Sequence, residues 1–294
     1  TKQMKGITVA APAKINLTLD VTGKRADGYH DIESVMHQID LCDQVRVTVT
    51  PEGIVVESDR EELPPGPGNL AYRAAQAVSS RYGLKTGFRI FIEKNIPLSA
   101  GLAGGSTDAA AVVKAIDQLL GLGMNREEMF ELGLALGSDV PFCLMGGTAL
   151  VQGKGEILTG VESRIGLNLV LINPGFPVST AQVFNLIDHE ILTDRPDSGK
   201  MIKAMQEGKI DRLIPALGNV MEKVTFKLHP QLEGIKEELL RAGALGALMS
   251  GSGPTVFGVF DDEGQARRAV GYLQNIYPYA FCCSSYLGNG RHHG

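Results

Sequence analysis

The residues best suited to chemistry in this 294-residue chain are a glycine run feeding a helix, a lysine–amide pair, and one aspartate held between helix breakers. The first is PLSAGLAGGSTDAAAVVKAIDQLL, residues 97–120. Gly101, Gly104 and Gly105 admit positive φ and close backbone approach, and Ser106, Thr107 or Asp108 is expected to cap the helix that follows. The first amides of such a helix converge on one point, where the aligned peptide dipoles favour an anion by roughly 0.3 to 2 kcal/mol. Ala109, Ala110 and Ala111 keep the first turn slim. Val112, Ile116 and Leu119, with Val113 and Leu120, then recur at helical spacing and predict an apolar face. A tight turn before a core helix would have the same composition, so the loop needs support from elsewhere. It lacks the lysine of a P-loop and the spaced glycines of a dinucleotide fold. HRD, DFG, HExxH and GxSxG are also absent from the sequence.

The support comes from two other segments. In APAKINLTLDV, Pro12 is expected to break the chain before a strand, and Lys14 and Asn16, two residues apart, project from one strand face. An edge strand with a polar solvent face would read the same way. In LGSDVPFCLMGGTA, Asp139 lies between Gly137 and Pro141 with Val140 and Phe142 beside it, which predicts partial burial. A carboxylate there is either a turn former at a helix terminus or a base whose charge a cation balances.

These side chains need a mixed α/β scaffold. Strands are predicted at 7–10, 15–21, 45–50, 54–57 and 88–93 from their β-branched and aromatic content. Asn69 is placed to cap a helix through about Tyr82 after ELPPGPG, and 127–136 forms a helix that Gly137 stops. Residues 146–157 read as a hairpin around Gly153 and Gly155, followed by a buried strand at 167–172. Polar helical patterns cover 193–240. Strands at 247–249, 255–260 and 279–284, with a helix at 263–275, complete an α+β second half. SGSGPT, 250–255, is read as a strand-connecting loop, and the terminal RHHG, 291–294, as a loose tail.

Composition limits the partners. The chain is 44% hydrophobic and 21% charged, with a formal net charge of −5. No basic run offers the electrostatic footprint that a nucleic-acid backbone or anionic membrane requires, so any phosphate site is local. No apolar run is long enough to span a bilayer, and the first residues lack the apolar core of a signal peptide, so a cytoplasmic protein is expected. Cys42, Cys143, Cys282 and Cys283 have no metal-type spacing and are expected to be reduced thiols.

Together these segments resemble the GHMP small-molecule kinases, named for galactokinase, homoserine, mevalonate and phosphomevalonate kinases. PLSAGLAGGSTDAA is similar to that family's nucleotide-phosphate loop. The likeness extends through APAKINLTLDVTGKRADGYHDIESVMHQIDL, LGSDVPFCLMGGTALVQGKGE and LMSGSGPTVFG, from about residue 10 to residue 260. The stretch containing RADGYH is the specific part, and resembles a branch that acts on a cytidine-diphosphate sugar alcohol.

The resemblance implies an α+β, two-domain fold, with domains 1–163 and 164–294 and the active site in the cleft between them. It implies ATP as donor, Mg²⁺ as its metal and a substrate hydroxyl as acceptor. Asp139 would be the general base, with Lys14 holding it ionised and stabilising the transferring group. Asn69, Lys94, Pro97, Leu98, Ala100, Gly101, Leu102, Ala103, Gly104, Gly105, Ser106 and Thr107 would hold the nucleotide. Ser106 and Thr107 both offer hydroxyls to Mg²⁺, and the choice stays open. Asp108 would compete with phosphate for the same amides, so it should point away or act only through the metal. On the acceptor side, Asn16 would orient the polyol beside Asp139, and Tyr29, His30, Thr180 and Phe184 would meet the cytidine. A small-molecule acceptor, no nucleic acid, no membrane, and a monomer or weak homodimer are expected. A kinase for mevalonate-like or amino-acid acceptors would share the ATP loop without needing Tyr29, His30 and Phe184. A non-catalytic sensor should have lost its base or its loop, whereas this chain keeps Lys14 and Asp139.

Overall fold

The computed structural model describes residues 5–288, so the expectation for 291–294 falls outside the described residues. The chain divides into two compact units. One holds the chain up to Ala13, Leu41–Leu98 and Ala103–Gly146; the other holds Lys14–Asp40, Ser99–Leu102 and the chain from Gly147. Two long strands, β1 (Gly6–Lys24) and β2 (His30–Thr50), contribute to both. β1 continues through Pro12, contrary to the expected break. Proline is compatible with extended backbone where no ladder partner needs its missing N–H. Just beyond it, the Lys14 amide donates to Leu102 O of a loop at 3.1 Å, so no strand ladder is interrupted there.

In the first unit the C-terminal part of β2 pairs antiparallel with β4 (Gly87–Glu93), and β3 (Ile54–Ser58) pairs parallel with β4. Alternation in β4 buries Phe88, Ile90 and Ile92 and exposes Arg89, Phe91 and Glu93, so only one face of this sheet is covered. α1 (Leu70–Tyr82) packs along α2 (Gly104–Leu120), presenting Ala71, Ala74, Ala75 and Val78 as a narrow apolar stripe. α3 (Arg126–Leu136) starts at a reciprocal capping box between Asn125 and Glu128 and ends at Gly137, as predicted. The short α4 (Val140–Met145), which periodicity did not predict, follows immediately.

In the second unit the N-terminal part of β2 pairs with β5 (Thr148–Gly153), which turns into β6 (Ile157–Gly160) as the predicted hairpin. A second sheet runs β11–β7–β10–β9, from β7 (Asn168–Ile172), β9 (Gly246–Met249), β10 (Val256–Phe260) and β11 (Ala280–Ser284). Between β7 and β9 lie α5 (Thr180–Ile187), α6 (Ser198–Glu207), α7 (Ile210–Ala216), β8 (Gly218–Asn219), α8 (Glu222–Leu228) and α9 (Gln231–Arg241); α10 (Glu263–Leu273) follows β10. The helical pattern at 193–240 is therefore interrupted: Gly208 ends α6, and β8 pairs parallel with Thr18 and Leu19 of β1. Leu19, Val21, Ile172, Val183, Leu232, Ile235, Val256 and Phe260 share one core in this unit.

The same unit holds a buried polar tie. His37 lies between Thr148 Oγ1 and Ser285 Oγ, each 2.7 Å from a ring nitrogen. Burial pushes its imidazole down to about 4 from the ordinary 6.5, so the folded protein holds it neutral. Between pH 6.5 and 4 the unfolded chain binds a proton here that the folded chain does not, so stability falls as pH falls. The linkage amounts to about 3 kcal/mol over that window. Urea unfolding at pH 7 and pH 4 should show the native protein losing that much more than His37→Gln; parallel losses would contradict the assignment.

Candidate active site

The turn into α2 differs from the expected one at its cap. No side chain caps this helix; Ala103, at φ 58°, occupies the cap in left-handed conformation, and the first helical bond runs from the Thr107 amide to Ala103 O at 2.9 Å. The amides of the first turn, at Gly104, Gly105 and Ser106, have no intrahelical acceptor by geometry. The positive φ values fall at Ser99, Gly101 and Ala103, whereas Gly104 and Gly105 are helical. Gly104 sits in a tight space instead: a Cβ there would lie 3.1 Å from both Ile96 Cγ2 and Lys94 Nζ, which would have to shift by a few tenths of an ångström. At Gly101 a Cβ would stand 2.2 Å from Ser250 O. The SGSGPT loop joins β9 to β10 as predicted and holds this segment through Ser250 Oγ to Gly101 O, 2.9 Å, and the Thr255 amide to Ala100 O, 3.2 Å.

The expected caps have other work. Thr107 and Asp108 are buried, and Asp108 turns to Lys94, whose Nζ donates to Asp108 Oδ2 at 3.0 Å and to Asp43 Oδ2. Asp43 also receives the amides of Asn95 and Ile96 at 2.7 and 2.8 Å, which anchors the chain as it leaves β4. Burial raises the Asp108 carboxyl well above the ordinary range against the opposing pull of Lys94. Asp108 is thus committed to Lys94 and does not cap the loop amides. Lys94, read from the sequence as a nucleotide-pocket residue, is placed as the cation of a buried acid–lysine–acid cluster. Asn69 caps α1 by accepting the Ala71 amide at 2.9 Å and donating to Pro64 O. Asp139 holds the cap position of α4, half-buried as expected, without a side-chain cap bond. Pro97 and Leu98 lead into the loop, and Leu98 is exposed.

On β1, Lys14 and Asn16 do share a face. Lys14 Nζ donates to Asn16 Oδ1 at 2.7 Å, and Asn16 Nδ2 donates to Ser34 Oγ at 2.9 Å. Both are buried, at 4% and 1% exposure, so a polar solvent face does not explain them. The ammonium also reaches Gly101 O at 3.3 Å. Among the described residues it makes no ion pair, which leaves a buried cation held only by neutral oxygens.

The β1–β2 turn at 25–29 carries the second cluster. Tyr29 is exposed, with the Lys154 ammonium 4.7 Å from its ring centroid. His30 is buried and stacks on Phe184, with ring centroids 5.0 Å apart and planes inclined at 27°. Its Nε2 lies 2.6 Å from Asp188 Oδ1, and Lys24 Nζ donates to Asp188 Oδ2 at 2.7 Å. Thr180, at the start of α5, shares a 2.8 Å hydroxyl contact with Ser252. Sequence reasoning missed Asp43, Ser34, Asp188 and Ser252. Asp188 left a signal, since it follows Phe184 by four residues, one helical turn, and Ser252 lies within the SGSGPT loop singled out in the sequence.

These parts suit a nucleotide. An uncapped helix start beside closely packed glycines has the free amides that an anion cradle needs. The Ser106 hydroxyl, half-buried in the first turn, is a hard oxygen donor of the kind Mg²⁺ accepts beside phosphate oxygens. Among the described residues no three His, Cys, Asp or Glu side chains group to hold a metal, so the nucleotide's own oxygens would supply most ligands. No disulfide joins the four cysteines, and no described helix is long and apolar enough to cross a membrane.

The chain matches known proteins over most of its length. The family model for the GHMP kinases N terminal domain matches residues 69–147, and that for GHMP kinases C terminal matches residues 201–278. A 4-diphosphocytidyl-2-C-methyl-D-erythritol kinase of Syntrophomonas wolfei subsp. wolfei is 45% identical over 283 residues, covering 96% of this chain and 99% of its own. One of Acetivibrio thermocellus is 47% identical over 272 residues, covering 92% and 96%. A crystal structure of 4-(cytidine 5'-diphospho)-2C-methyl-D-erythritol kinase superposes with a TM-score of 0.80 at 33% identity, over 95% of this chain and 98% of that one. With the α+β fold and both family domains in place, the chain belongs to the GHMP kinase family and is a small-molecule kinase.

Proposed function

We propose that this kinase transfers the γ-phosphoryl group of ATP to the C2 hydroxyl of 4-diphosphocytidyl-2-C-methyl-D-erythritol, giving the 2-phosphate and ADP, a step in non-mevalonate isoprenoid precursor synthesis. Relatives bearing that name match nearly the whole chain at 45% and 47% identity. The observation that carries the reading on this chain is the His30–Phe184 stack beside exposed Tyr29, in the same unit as the Lys14–Asn16 pair. An aromatic group of that kind suits a pyrimidine, and the lysine–amide pair suits a phosphorylated polyol.

The C2 hydroxyl is a crowded, very weakly acidic tertiary alcohol. Asp139 accepts its proton as the oxygen attacks phosphorus, and Lys14 supplies positive charge to the developing alkoxide and the transferring group. The first-turn amides of α2, with the backbone of Pro97, Leu98, Ala100, Gly101, Leu102 and Ala103, hold the phosphates, and Thr107 supports that turn. Asn69 and Lys94 serve the nucleoside end of the same nucleotide. Asn16 orients the polyol; Tyr29, His30, Thr180 and Phe184 take the cytidine. Mg²⁺, when bound with the nucleotide, screens the phosphate charge. No residue on the chain is needed to carry the phosphoryl group covalently, because positioning and electrostatics suffice for direct transfer.

The test is ADP release from purified protein with ATP, Mg²⁺ and one acceptor at a time: the cytidylylated methylerythritol, mevalonate or homoserine. ADP should appear with the first alone, and turnover of either other acceptor at a comparable rate would overturn the reading. Phe184→Leu, which keeps the packing against the core, should raise the acceptor KM about five- to 150-fold, the worth of one stacked base, and leave the ATP KM unchanged.

A further inference from the structure

The grip on His30 is more specific than stacking requires. Phe184 and Asp188 are one turn apart on α5 and its C-cap, so one helix end holds the ring face and one ring nitrogen together. Nδ1 has no hydrogen-bond partner among the described residues. The side chain as a whole keeps 6% exposure. One nitrogen is therefore committed inside the protein and the other is left for a ligand.

Which nitrogen carries the hydrogen follows from Asp188. Its carboxyl is held below the usual carboxylate range, first by the hydrogen bond from Lys24 and then by that from His30. An ionised carboxylate only accepts, so Nε2 must donate to it. Lys24 donates to the other carboxylate oxygen at 2.7 Å and so fixes the carboxylate that orients the ring. At the same turn Arg25 pairs with Asp27 and Asp31, and the Lys154 ammonium lies over the Tyr29 ring and 4.0 Å from Asp27.

We propose that Asp188, backed by Lys24, is a positioning residue that fixes His30 as its Nε2–H tautomer, so that Nδ1 accepts the 4-amino group of cytosine and rejects the O4 of uracil. This rests on the reading of His30 as a residue that meets the base. It makes base choice a consequence of tautomer: cytosine presents a donor at position 4 and uracil an acceptor, and a site built around one leaves unpaired polar groups against the other.

Asp188→Asn separates this role from a structural one. The asparagine carbonyl must face the Lys24 ammonium, because an amide NH₂ there would set donor against donor. The NH₂ then faces His30, donates to Nε2 and moves the ring hydrogen to Nδ1. With the cytidine- and uridine-diphosphate methylerythritols as paired acceptors, the native enzyme should strongly prefer cytosine. In the variant the ratio of kcat/KM for the two should fall about tenfold or more, the size of one mismatched hydrogen bond, through KM with kcat nearly unchanged. A ratio equal to that of the native enzyme would overturn the proposal, even if both acceptors slowed. Nitrogen-15 spectra of the full chain labelled at histidine, with His30 assigned by loss of its signals in His30→Gln, read the tautomer without turnover. At neutral pH they should show Nε2–H; Nδ1–H or an imidazolium would overturn the proposal. Were neither acceptor phosphorylated, the function would be wrong, and the spectra would still decide the tautomer.

Discussion

Asp139→Asn should lower kcat by about a hundred- to ten-thousandfold, the range lost when a positioned general base is removed. The substitution is nearly isosteric and removes only the ability to take a proton. Its site favours a clean result. Asp139 holds the cap position of α4, where asparagine is as good as aspartate, and its carboxylate makes no side-chain cap bond that an amide would lose. The half-buried position also spares the core. The variant should therefore unfold within a few degrees of the native protein and bind ATP with native affinity, since the uncapped start of α2 is untouched. Single-turnover measurement of phosphoryl transfer, beside ATP binding by calorimetry, checks both halves. Turnover within about tenfold of native would remove Asp139 from the role of base, because a hydroxyl this weakly acidic gains more than that from assistance.

Local signals in the sequence found most elements, and their failures share one cause. The caps at Asn69 and Gly137, the alternation of β4 and the hairpin around Gly153 depend on neighbours a few residues away. β2 was legible only at 45–50. Its earlier part reads HDIESVMHQIDLCDQ, whose polar residues argue against a buried strand, yet Ser34, His37 and Asp43 are buried there because each finds distant partners. The loop before α2 failed for the same reason. Asp108 has the type and place of a capping residue, but a lysine fourteen residues earlier and an aspartate on β2 draw it inward, so the cap is left to backbone alone. β8 is two residues paired with β1, too short for any periodicity to announce. At the site, the residues that would touch ligand were legible as types within motifs. The residues that orient them, Ser34, Asp43 and Asp188, were not, because their contacts are set by the fold.

Lys14→Met should be the second large loss, with kcat falling about a hundred- to a thousandfold, as when one preorganised electrostatic donor is removed from a transferring group. Lys14 is 4% exposed and, among the described residues, reaches only neutral oxygens, Asn16 Oδ1 and Gly101 O. A buried cation in such surroundings is costly for the fold alone, and its charge is free to meet an anion. Methionine keeps most of the apolar stem and removes the charge, so packing along β1 changes little. Asn16 Oδ1 loses its donor, a cost of about 1 to 3 kcal/mol that a thermal unfolding control would register separately from turnover. Lys14→Arg should not restore the rate, because a longer planar fork moves the charge from the point set by Asn16 Oδ1 and Gly101 O. The decisive measurement is the double variant with Asp139→Asn. If the lysine and the carboxylate serve one transition state, the double variant should be little slower than the worse single one, since groups that act as a unit are not additive. Losses that multiply would instead mean two independent contributions, and Lys14 would then act on the phosphoryl group without regard to the base.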